Sequence, residues 1–103
     1  MDKRVINILN SDNQRRTFKF LADYEGIIVH GIDDNFKITR YKGGNVKGIE
    51  FSNGPTIYID DTIYFKKRGG FRIIDIMEYP LHNYSNCYFL DVIRISHGEK
   101  QEN

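Results

Sequence analysis

Strand-like hydrophobic runs recur along the chain. In several of them hydrophobic and polar positions alternate with a period of two, the spacing that puts alternate side chains on opposite faces of a strand. The clearest case is Phe36–Lys42, where Phe36 and Ile38 oppose Lys37 and Thr39. Upstream, Arg4–Leu9 predicts a first strand, closed by the polar cluster Asn10–Gln14. Arg15–Gly31 predicts one long bent strand or two shorter ones, with Phe18, Phe20 and Ala22 on one face. Within it Gly26–Gly31 is apolar at consecutive positions, which implies burial on both faces or a bulge at Gly26. Asp33–Asn35 reads as a turn, because short Asx side chains satisfy local backbone groups.

Gly43-Gly44-Asn45 is a hairpin signal, since tight hairpins need positive φ. Val46–Phe51 returns from it, with a bulge expected at Gly48, and Asn53-Gly54-Pro55 punctuates the next connection. In Thr56–Lys67 two readings stay open. Ile57, Ile59, Asp61, Ile63 and Phe65 share one parity and so allow a single strand, while Asp60-Asp61 is an ordinary turn dipeptide. Arg68-Gly69-Gly70 marks a hairpin, and Phe71–Glu78 runs back with a bulge or two-sided burial at Ile73-Ile74. Tyr79–Asn86 is a loop around Pro80, Cys87–Ile95 the last strand, and Ser96–Asn103 a polar tail.

The expected fold is therefore all-β: one domain over residues 1–95, followed by a flexible tail over 96–103. Six to seven strands would form a small antiparallel barrel-like sheet or rolled meander. Ile73–Leu81 or Asp2–Gln14 leaves room for one short helix, though neither sustains a 3.6-residue period. Composition agrees. Fifteen Ile, seven Tyr and seven Phe stand against a single Ala, and branched and aromatic side chains favour the pleated surface.

Candidate chemistry is sparse. Cys87 is the only cysteine, which excludes an intrachain disulfide. Cys87 with His30, His82 and His97 gives no complete tetrahedral set, so neither a metal nor a cofactor is expected. No electropositive or helix-start context surrounds Cys87, so it reads as a packed small hydrophobe and not as a nucleophile. Asp33-Asp34 and Asp60-Asp61 are adjacent residues, which a strand would point to opposite faces. Asp61 is the carboxylate whose environment matters most, because in a single strand it would share the buried face of Ile59 and Ile63 and need a partner; a bend would put it in water. With no catalytic constellation, the chain is not expected to be an enzyme. The apolar run Val5–Leu9 is too short for a signal-peptide core or a membrane span, and a cytoplasmic location is expected.

Charge is balanced overall at +1 but arranged in blocks. In an up-and-down meander, Arg15, Arg16, Lys42, Lys47, Lys66, Lys67, Arg68 and Arg72 would gather at one end of the sheet, with Tyr41, Tyr64 and Phe71 nearby. Such a rim would suit nucleic acid or a nucleotide-like anion; it would also arise from lysine-guarded strand edges alone. The leading expectation is a small non-catalytic binding module, a regulator or inhibitor acting on a protein partner. Its supports are the missing catalytic set and tyrosines such as Tyr41, Tyr58, Tyr64 and Tyr88 on the polar parity. The Ile-, Asn-, Lys- and Tyr-rich composition of a small single domain fits a phage or mobile-element product. Open strand edges would equally allow a homodimer.

Overall fold

The computed structural model describes residues 4–8, 18–20, 26–30, 36–51, 55–78 and 87–98. Among these, the chain forms nine strands: β1 (Val5–Ile8), β2 (Phe18–Phe20), β3 (Gly26–His30), β4 (Phe36–Arg40), β5 (Val46–Phe51), β6 (Thr56–Tyr58), β7 (Thr62–Phe65), β8 (Gly69–Glu78) and β9 (Cys87–Ser96). There is no helix among the described residues, and the Ile73–Leu81 segment begins as strand. The all-β expectation holds. The strand count rises to nine because both long runs are divided.

Within Arg15–Gly31, β2 pairs antiparallel with β3, Phe18 facing Val29. Within Thr56–Lys67, β6 and β7 belong to different sheets. The break is a turn over Tyr58–Asp61, closed by the Asp61 N–H donating to the Tyr58 carbonyl at 3.1 Å. Asp60 takes φ = 79°, a left-handed conformation that Asp tolerates better than most side chains and that a type II turn requires at its third position.

Six strands form a curled half-barrel in the order β1-β7-β8-β9-β3-β2, and β4-β5-β6 form a second sheet. This is no simple meander, since β1 runs parallel to β7 and the late strand β9 pairs with both β8 and β3. The core lies between the sheets. Ile27, Val29, Ile63, Ile73 and Leu90 from the half-barrel meet Ile49 and Ile57 from the small sheet, all without solvent contact. One end is filled by rings: Phe18 and Phe20 lie 5.3 and 4.9 Å from Phe65 in edge-on contacts, and Phe65 is 6.3 Å from Phe71.

Irregularities decide what reaches the surface. In β8 the register shifts between Ile73 and Asp75, so Ile74 is an extra residue that returns Ile76 to the core and leaves Ile74 exposed. A second shift leaves Ile95 of β9 unpaired and exposed. In β5 the extra residue is Lys47, next to the expected Gly48; a Cβ on Gly48 would lie 2.5 Å from the Tyr58 ring. Gly26 pairs regularly with Asp91, and the apolar run after it is buried on both faces: Ile27 and Val29 in the core, Ile28 in a separate cluster with Cys87 and Phe89. Ser96, expected in the tail, is a strand residue opposite Gly70, and Gly98 lies tight against the Lys67–Arg68 turn.

Candidate functional site

Among the described residues the expected basic rim does not form one cluster. The β7–β8 turn, with Lys66, Lys67 and Arg68, adjoins Gly69 at the start of β8. The β4–β5 hairpin lies at the other end, where Arg40 pairs with Glu78, the last residue of β8. Ten extended residues separate these ends by about 30 Å. Tyr64, half-buried opposite Gly70, belongs with Lys66–Arg68. Tyr41, Lys42 and Lys47 belong with the far hairpin. Arg72 stands between the poles and is paired to Asp60 at 3.2 Å. Arg15 and Arg16 lie outside the described residues, as do His82, Asp33-Asp34 and the turn Asn10–Gln14. The meander premise fails because β6 leaves the large sheet, carrying β4 and β5 with it to the Glu78 end.

At the Lys66–Arg68 pole, Arg68 stacks its guanidinium 4.9 Å from the Phe20 ring centre. Its carbonyl accepts a 2.6 Å hydrogen bond from Arg94 Nη1. Lys66 and Lys67 are exposed and make no ion pair among the described residues.

The second feature is a junction built on Asp61, the carboxylate expected to need a partner if buried; its partner, Arg4, was not foreseen in the sequence. Asp61 is 6% exposed, so the bend expected to place it in water does not do so; Asp60 is the exposed member of the pair. Arg4 meets the Asp61 carboxylate with both arms of its fork, Nε at 3.2 Å and Nη2 at 2.9 Å. The same carboxylate accepts the Tyr58 N–H at 2.8 Å, and Arg4 also donates to the Thr56 carbonyl. A buried charge is thereby matched by a fork and a backbone donor. Arg4 lies 5.4 Å from the Tyr58 ring centre, and Lys47 lies 5.8 Å from Tyr58 and 6.0 Å from Tyr41. This ladder of cations and rings links the start of β1 to β5 and β6.

The third feature is the outer face of β8 and β9. Register places Arg72 opposite Ile93, Asp75 opposite Asp91 and Met77 opposite Phe89. Ile74, Met77, Ile93 and Ile95 are 39, 41, 49 and 56% exposed, an apolar strip produced partly by the two bulges. Like charges directly across a ladder repel, yet Asp75 and Asp91 have no cation partner among the described residues. Among the described residues Asp75 accepts just the adjacent Ile76 N–H, at 2.9 Å. Beside Met77 an open groove of about 500 Å³ runs under the β4–β5 hairpin, walled by Tyr41, Ile59, Asp75, Ile76 and Glu78. Arg40 at its rim is held by Glu78, whose carboxylate raises the guanidinium pKa further.

Cys87 is buried against Ile28 and Phe89, as its packing role predicts, and desolvation raises its thiol pKa. Tyr88, expected on the polar parity, faces inward and is 7% exposed. Burial first, and the nearby Glu78 second, raise its phenol pKa. Tyr41 is the exposed tyrosine of the set, at 49%, while Tyr58 and Tyr64 are half-buried. No group of three metal-ligating side chains comes together among the described residues. Nor is any helix among them long and apolar enough to cross a membrane.

The exposed isoleucines were visible in the sequence as the odd partners of doublets and alternations, but their exposure depends on bulges whose phase only the register defines. No family model, curated protein or solved structure matches the chain.

Proposed function

We propose that the protein is a non-catalytic binding module, a regulator or inhibitor that grips a protein partner through the outer face of β8–β9 and the adjoining groove. The observation that carries this reading is the strip Ile74, Met77, Ile93 and Ile95, a run of large apolar side chains left in water beside a groove. An apolar centre with a charged border is the anatomy of a recognition surface. Charge complementarity selects the occupant. Arg72 and Arg40 are already paired within the chain, whereas Asp75 and Asp91 keep a surplus of negative charge beside the strip. The partner segment therefore presents apolar side chains flanked by Lys or Arg.

The test uses two short synthetic peptides of equal apolar content, one bearing Lys and Arg, the other Asp and Glu. Titration followed by amide NMR should show the basic peptide shifting resonances around Met77, Asp91 and Ile93, with affinity falling as salt rises. The Asp75→Asn/Asp91→Asn double variant should weaken it about tenfold, or about 1.4 kcal/mol. Equal binding of the acidic peptide, or shifts confined to Lys66–Arg68, would replace this reading with an anion-binding one.

A further inference from the structure

Open sheet edges are templates for pairing, and proteins normally guard them with charge, proline or very short strands. Among the described residues the two sheets have four edges, and three of them are guarded. β4 exposes Lys37 and Arg40, and β2 is three residues long with Lys19 exposed at its centre. β6 is equally short, follows Pro55, and gives its Thr56 carbonyl to Arg4. β1 is different. Val5-Ile6-Asn7-Ile8 contains no charge and no proline, and no strand lies on its far side among the described residues.

The ladder defines what that edge offers. Thr62 donates its N–H to the Arg4 carbonyl at 2.8 Å, with Val5 as its register partner. In a parallel pair the N–H and C=O of alternate residues point to the same neighbour. Ile6 and Ile8 therefore bond toward β7, while the N–H and C=O of Val5 and Asn7 point away from it. Those two residues sit symmetrically about Ile6, which packs against the core. An antiparallel copy of the same strand would then place Val5 opposite Asn7 of its mate, with Ile6 facing Ile6 across a two-fold axis and both cores on one side. The flanking cation raises no barrier, because Arg4 is matched by its own Asp61.

We infer that β1 is a homodimerisation edge, joining two half-barrels into one continuous sheet through antiparallel β1–β1 pairing. This surface is separate from the β8–β9 face and does not depend on the reading given for it. The arrangement is isologous and closes on itself, so it yields dimers and not filaments.

Sedimentation of the full chain from micromolar to millimolar concentration should show a monomer–dimer equilibrium. Asn7→Pro removes an N–H that points only to the free edge, and should weaken the dimer at least about tenfold while leaving the monomer folded by circular dichroism. If that variant fails to fold, a charge pair tests the same register. Val5→Lys/Asn7→Lys places like charges opposite each other and should dissociate the dimer; Val5→Lys/Asn7→Glu places opposite charges together and should restore it. A wild-type chain that stays monomeric throughout overturns the inference. So does a dimer indifferent to these substitutions but broken by Ile93→Glu, which would put the contact on the β8–β9 face.

Discussion

The two faces of the β8–β9 hairpin use nearly the same side chains to opposite ends. On the inner face Phe71, Ile73, Ile76, Leu90 and Val92 are at most 4% exposed, and each fills space left by a facing strand. On the outer face Ile74, Met77, Ile93 and Ile95 keep between 39 and 56% of their surface in water. Charge marks the outer face at Arg72, Asp75 and Asp91. Among the apolar residues type does not distinguish the faces, and two register shifts help decide which of them point outward. Hydrophobicity supplies the tendency to associate, and the backbone phase decides whether that tendency is satisfied within the chain or kept for another molecule.

The strongest way to break this comparison is to truncate one isoleucine on each face. Ile73→Ala should destabilise the fold by about 3 kcal/mol, because it leaves a cavity in a packed core. Ile93→Ala should cost less than about 0.5 kcal/mol. Urea unfolding midpoints check both, and equal losses would mean that the outer strip packs within the chain. A smaller effect is expected at the Arg4–Asp61 junction. Arg4→Ala should cost about 2 kcal/mol, at or below the low end for breaking a buried pair, since Arg4 is itself half exposed. Arg4→Lys should recover only part of this loss, because an ammonium cannot engage both carboxylate oxygens and Thr56 together. On the outer face charge removal should help instead: Asp91→Asn relieves the repulsion with Asp75 and should raise stability by about 0.3 kcal/mol, read as a higher melting temperature at low salt.

The finest test is pH. At the start of β9 both faces are closed, with Cys87 outward and Tyr88 inward, and burial raises the pKa of each from ordinary values of 9.0 and 10.0. The unfolded chain then loses these protons before the folded one does, so the native state binds more of them at alkaline pH. Their stabilising contribution is complete below pH 9 and declines as pH climbs from there toward the raised native values. Urea midpoints measured through this window should fall, and Cys87→Ala should delay the onset toward the tyrosine range. A flat profile would show that the outer half of this strand is open to water after all.

Much of the fold was readable in advance, for local reasons. Gly43-Gly44 and Gly69-Gly70 mark their hairpins through a need for positive φ, met at Gly44 (98°) and Gly69 (95°). The Ile73-Ile74 doublet left a bulge or two-sided burial open, because strict alternation would have put one of them wrongly. The register shift with Ile74 exposed decides for the bulge. The division of Thr56–Lys67 was not readable as a certainty. The turn at Ile59-Asp60 preserves parity, and Asp61 keeps a core position only because Arg4, 57 residues earlier, supplies its counter-charge. The same long-range dependence hid the parallel β1–β7 pairing and split the expected basic rim. Periodicity records which side a residue faces, and nothing about which end of the molecule its turn will occupy.

The position of β9 has a consequence for how the chain is made. It sits inside the large sheet, hydrogen-bonded to β8 on one side and to β3 on the other, yet it is the last described strand to be synthesised. Until Ser96 has emerged from the ribosome, β2–β3 and β7–β8 lack the strand that joins them into one sheet and the apolar side chains it adds to the core. Nascent chains stopped before that point should be sensitive to protease and prone to clump, and chains that include β9 should acquire resistance in a single late step.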